Sequence, residues 1–128
     1  GRLLVFTLDG EAELKKNHLS PRPLQQPSVT LSAEEIENGR ILYAANCAAC
    51  HGTGTLSSGV LPDLKRSIAV TESELWEAIV MDGIYHERGM VSFAAAITTD
   101  ESKMIRGYVG SEALRIAQEI NENNAGYR

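Results

Sequence analysis

Positive charge is in short supply in this chain. Its 12 Lys and Arg stand against 17 Asp and Glu, a net charge of -5 over 128 residues with a pI near 5.2. A nucleic-acid binder would show a basic patch or stripe, and docking on an anionic membrane surface needs a polybasic segment, so neither partner is expected. Long apolar runs are missing too: none approaches the roughly 18 residues a membrane-spanning helix requires. Aromatic residues make up 5% of the chain, with one Trp, two Phe and four Tyr. A single domain with so few large apolar side chains needs help filling its core, from disulfides, a metal or a partner. Disulfides are excluded as a scaffold, because the only two cysteines, Cys47 and Cys50, are three positions apart. No basic, apolar and small-residue succession marks a signal peptide, and the start at Gly1-Arg2 reads as a trimmed or excised terminus.

What is present falls into three stretches. Residues 1–10 contain the apolar run Arg2 to Leu8, closed by Asp9-Gly10, which predicts a strand entering a tight turn. A lone strand leaves its edges unpaired, and no second comparable strand is visible, so the segment reads either as a remnant of a larger sheet or as a disordered tail, and an exposed strand would be a route to dimers. Residues 11–30 hold Pro21, Pro23 and Pro27, three of the four prolines. Proline fixes φ and holds its predecessor extended, which predicts a semi-rigid linker. Residues 31–128 carry the helical pattern and form the folded domain.

Three capping-box signatures open helices in that domain: Ser32 to Glu35, Thr71 to Glu74 and Thr98 to Glu101. The first helix carries Ile36, Gly39, Ile41, Leu42 and Tyr43 and ends near the cysteines. The second carries Leu75 to Met81 and stops near Gly83. The third carries Met104, Ile105, Tyr108 and Val109, and Gly110-Ser111 is expected to break or kink it before a last helix through Leu114, Ile116, Ala117 and Ile120. The expected fold class is all-α.

The chemistry lies in Cys47-Ala48-Ala49-Cys50-His51. C-x-x-C-H is the spacing of c-type haem attachment. Two thiols three positions apart near a helix end can each add to one vinyl group of a porphyrin, and the next residue then lies under the iron. A thioredoxin-type redox pair expects a βαβ surround, and a zinc site expects a second Cys pair; this chain has neither. His51 would bind iron through one ring nitrogen, its other nitrogen oriented by an acceptor. For the opposite face of the iron the candidates are Met81, Met90, Met104, His86 and His18. Met81 and Met104 lie in apolar helical patterns, where core packing is the default, and His18 lies in the linker. Met90 follows Gly89 in a stretch without helical periodicity and is favoured over His86. The Pro62 carbonyl is a candidate acceptor for His51, with Leu64 packing on the porphyrin. Lys65 and Arg66 read either as propionate partners or as solvated loop charges, and Trp76 and Tyr85 as haem contacts or core aromatics.

Together, Gly39-x-x-x-Tyr43-x-x-x-Cys47, the C-x-x-C-H, Pro62-x-Leu64, Gly89-Met90 and Ile105-Arg106-Gly107-Tyr108-Val109 resemble a class I cytochrome c, over about residues 33 to 110. The resemblance implies helices around one covalently bound haem, with Gly39 letting the Tyr108 helix approach closely. Gly1 to Gly10, the Pro-rich stretch and then Gly59 to Leu64 and Gly89-Met90-x-Ser92-Phe93 come in the order seen at the C-terminal end of quinohaemoprotein alcohol dehydrogenases that use pyrroloquinoline quinone (PQQ). Val91 stands where such domains often carry Pro.

That resemblance implies a one-electron relay in the bacterial periplasm. Electrons would come from a PQQ dehydrogenase domain, the part expected to hold PQQ and calcium, and would leave to a periplasmic acceptor, a small redox protein or a quinone. No dehydrogenase activity is expected of these 128 residues alone. A free-standing cytochrome c carrier and a haem-based ligand sensor are the alternatives.

Overall fold

The computed structural model describes residues 8, 9, 11, 22–56 and 61–126, with side chains as far as Asn123. Its regular elements are all helical. Helix α1 spans Ala33–Asn46, α2 Ala48–His51, α3 Ser73–Val80 and α4 Thr99–Gly126, with short 3-10 turns between them. No strand occurs among the described residues. The strand expected over Arg2 to Leu8, and any dimer contact through it, lies outside the described residues except for Leu8, which with Asp9 is in a turn.

Two of the three capping boxes form. At Ser32 the hydroxyl accepts from the Glu35 amide (3.3 Å), while the Glu35 carboxylate accepts from the Ser32 amide at 2.8 Å. Thr98 and Glu101 repeat this reciprocal pair at the start of α4. The third does not form. Thr71 turns its hydroxyl back to the Ile68 carbonyl at 2.8 Å, and Glu72 becomes the residue before α3, without a side-chain cap. Nor does Gly110-Ser111 break the chain: α4 runs through both for 28 residues.

Helices α1 and α4 cross at Gly39. A Cβ there would lie 2.1 Å from the Met104 carbonyl oxygen, so only glycine permits the approach. One turn on, the rings of Tyr43 and Tyr108 meet at 5.4 Å, tilted by 58°. Around this crossing Val70, Trp76, Val80, Ile97, Ile105 and Val109 complete the core. Full burial of a side chain such as Ile105 or Val109 stabilises by about 1.5–3 kcal/mol. The Trp76 indole N–H, in α3, donates to the Ser102 hydroxyl of α4 at 3.0 Å, which removes the cost of burying an unpaired donor.

The described part of the Pro-rich stretch departs from a free spacer. Residues 22–32 have no regular secondary structure, yet they lie on the helical body. Pro27 is buried, and a Cβ at Gly110 would come within 2.9 Å of its ring. The Gln25 amide donates to the Lys65 carbonyl at 2.9 Å, and the Arg66 guanidinium donates to the Arg22 carbonyl. The stretch is a strap, held because a proline ring finds a glycine-sized recess on α4.

Candidate functional site

Cys47 is the hinge between α1 and α2. Its amide still donates to Tyr43 (2.8 Å), while its own carbonyl accepts from Cys50 at 3.2 Å and from His51 at 2.9 Å. This turn places the two sulfurs one helical turn apart. Both thiols are free, Cys50 exposed and Cys47 half-buried against the core. Burial, and next the proximity of Cys50, push the Cys47 thiol up to about 11. The pocket therefore disfavours a thiolate and accepts a neutral sulfur, as in a thioether. Gly52 leaves the turn at φ +85, a conformation natural to glycine, and its carbonyl accepts from the Tyr43 hydroxyl at 2.9 Å. That bond ties the end of the cysteine turn to the middle of α1.

His51 is buried, and its Nδ1 lies 3.3 Å from the Pro62 carbonyl oxygen. A carbonyl can only accept, so Nδ1 is the donor in this contact, and in the neutral imidazole that leaves the lone pair on Nε2. An imidazole in this tautomer is ready to bind a metal through Nε2. Leu64, two residues past Pro62, is half-buried against the core.

The second stretch of interest runs from the end of α3 to Ile97. Gly83 turns with φ +68, and a Cβ there would meet Ser92 at 2.9 Å. The Ser92 hydroxyl donates to the Met81 carbonyl, and the Phe93 amide to Val80 at 2.8 Å. These bonds fold the stretch back on α3. Between them Gly89 (φ +89) precedes Met90, whose side chain is half-buried against the core and whose amide donates to Tyr85 at 3.2 Å. Met81 is also half-buried, at the C-cap of α3, and Met104 lies within α4. His86 faces outward: its Nε2 sits 2.7 Å from the Glu87 carboxylate, with the imidazole 65% exposed. His18 lies outside the described residues.

Leu56, Leu61, Ile68, Ile84 and Val91 flank the His51 and Met90 stretches and leave apolar surface uncovered. Two free thiols and an imidazole on one turn are residue types that could hold haem c, and Met90 offers a thioether on a separate loop. Among the described residues no group of three or more His, Cys, Asp and Glu gathers as a metal cluster.

Trp76 is a core residue, and Tyr85 carries the Arg88 guanidinium 5.0 Å above its ring. Lys65 is not a solvated loop charge: it is buried, with Thr55 and Asp63 as its partners. Arg66 pairs with Asp63 at 3.3 Å. Neither Thr55 nor the Tyr43–Gly52 bond stood out in the sequence. The Asp63-x-Lys65 spacing was the one available signal for the lysine's partner.

A family model described as cytochrome C oxidase, cbb3-type, subunit III matches residues 34–109. The chain is 40% identical over 113 residues to quinohemoprotein alcohol dehydrogenase ADH IIB of Pseudomonas putida, covering 86% of this chain and 16% of that protein. It is 32% identical over 129 residues to the dehydrogenase subunit of alcohol dehydrogenase (quinone) of Gluconobacter oxydans, covering 98% of this chain and 17% of the relative. The solved structure of quinohemoprotein alcohol dehydrogenase ADHIIG of Pseudomonas putida HK5 superposes with a TM-score of 0.71 at 32% identity, covering 85% of this chain and 16% of that one. The chain thus spans only 16–17% of the length of these relatives.

Proposed function

Since the chain belongs to the cytochrome c family that the cbb3-type subunit III model describes, we propose that it relays single electrons through one covalently attached haem c. Cys47 and Cys50 would hold the porphyrin by thioethers, and His51 Nε2 and the Met90 thioether would serve as ligands to the iron. Haem in this setting supplies an iron that exchanges one electron between its ferric and ferrous states.

The chain's own residues make that exchange easy. Pro62 keeps the His51 ring in one tautomer and strengthens Nε2 as a donor. Leu64 and the other apolar side chains beside it exclude water. A thioether ligand and an apolar surround both raise the potential, because ferric iron carries charge that a dry site disfavours. With both His51 and Met90 retained as ligands, no ligand would have to enter or leave on electron transfer, so little rearrangement would oppose it.

The relatives' printed names, quinohemoprotein alcohol dehydrogenase and alcohol dehydrogenase (quinone), support a place in a larger oxidoreductase. On this reading a PQQ- and calcium-containing dehydrogenase domain oxidises an alcohol and hands electrons singly to this domain. A periplasmic acceptor then takes them. No helix of the described residues is long and apolar enough to cross a membrane.

The His51–Pro62 contact within a C-x-x-C-H turn is the observation that carries the reading. Expression with a haem-attachment system is expected to add the mass of one haem. The ferric protein should show the weak long-wavelength band of thioether ligation. Met90→Ala should abolish that band and let carbon monoxide bind the reduced protein, whereas His86→Ala should change neither. A colourless product would overturn the reading. Carbon monoxide binding by the unaltered protein would point instead to a ligand sensor.

A further inference from the structure

A lysine is almost never fully buried unless it is paired. Lys65 is 5% exposed, and its ammonium meets the Thr55 carbonyl, the Thr55 hydroxyl at 3.2 Å and the Asp63 carboxylate at 3.1 Å. Thr55 is 1% exposed and stands at φ +62, a left-handed conformation that a β-branched residue adopts only under constraint. The lysine's double hold on its carbonyl and hydroxyl supplies that constraint. The clasp joins positions 55 and 65, the two feet of the loop whose Pro62 carbonyl faces His51 Nδ1. Among its described residues, the regular structure of that loop is limited to short 3-10 turns at its two feet. From outside, the Gln25 amide bonds the Lys65 carbonyl, so the lysine's backbone is fixed as well as its head group.

We propose that Lys65 is a positioning residue for His51. By closing the loop at its feet, it keeps the Pro62 carbonyl within reach of Nδ1. That contact in turn sets the ring's orientation and the donor strength of Nε2. The closing entropy of the loop is met once, by the buried clasp, and not by the weaker His51–Pro62 bond. The inference rests on His51 being the haem ligand.

The test is solvent exchange of the His51 Nδ1 proton, followed by NMR in the reduced, haem-loaded protein. Lys65→Met is expected to speed that exchange about tenfold by local opening, while the Ile105 and Val109 amides in α4 keep their protection. Lys65→Arg, which retains charge and donors, should bring it back close to the unaltered rate. Lys65→Gln keeps a donor amide but loses charge and reach, and should give a smaller increase; it also decides the matter if Lys65→Met does not fold. Unchanged Nδ1 exchange in the variants, or equal acceleration of the α4 amides, would overturn the proposal. A His51 ring without the shifts of an iron ligand would overturn the ligand assignment itself.

Discussion

Gly39 shows how much one hydrogen atom decides. A methyl group there would be driven into the Met104 carbonyl at 2.1 Å, and the obstacle is backbone, which no rotamer change can move. Gly39→Ala should therefore destabilise by about 3 kcal/mol, the upper range for overpacking, read as a drop in the denaturant midpoint of the haem-loaded protein. An unchanged midpoint would mean that the helices cross elsewhere. The close approach at this glycine was legible only through the resemblance to class I cytochromes c, whereas the C-x-x-C-H spacing drew attention to the cysteine–histidine turn by itself. Lys65 was not legible. Lys65 and Arg66 read as propionate partners or as solvated loop charges, and only the return of the chain over Thr55 takes the Lys65 ammonium out of water. Thr55 was equally hidden, since a left-handed threonine has no signature in composition.

At the scale of elements, the helix starts carry the pH dependence. The Ser32 amide, then its hydroxyl, holds the Glu35 carboxyl below the usual carboxylate range, and the Thr98 amide and hydroxyl do the same for Glu101. A carboxyl depressed by folding stabilises the fold above its unfolded pKa, and that contribution is lost as the pH falls through the folded value. Glu35→Gln combined with Glu101→Gln should therefore lower the thermal midpoint at neutral pH. The gap to the unaltered protein should narrow on acidification below 4.5. Parallel curves would show that the caps do not titrate with folding. These two starts were readable because each box is complete within four residues. Thr71 to Glu74 misled because the residues before it close a 3-10 turn that takes the Thr71 hydroxyl. Gly110 misled for a different reason: its small size serves Pro27, which belongs to the strap and not to the helix. Local pattern names a glycine as a break when the partner that needs it is 83 positions away in the chain.

For the whole molecule, the scarcity of aromatic residues was the most informative general feature. The protein core centres on the α1–α4 crossing, while Leu56, Leu61, Ile68, Ile84 and Val91 leave apolar surface uncovered beside the His51 and Met90 stretches. A chain with Cys47→Ser and Cys50→Ser, unable to attach haem, is expected to lose most of its far-ultraviolet helix signal, as small metallo-domains do without their metal. Cooperative unfolding at the midpoint of the loaded protein would contradict this. The helical class was readable from the sequence, whereas the need for a prosthetic group is what the haem-less variant tests. The strap was not, because a Pro-rich stretch announces extended backbone without saying where it lies. One further consequence comes from Trp76, the sole indole of the chain, locked between α3 and α4 by its bond to Ser102. All tryptophan fluorescence originates at that joint. An attached porphyrin, absorbing where the indole emits, would keep it dark, so brightening on titration with denaturant would time the parting of these two helices from within, without any added dye.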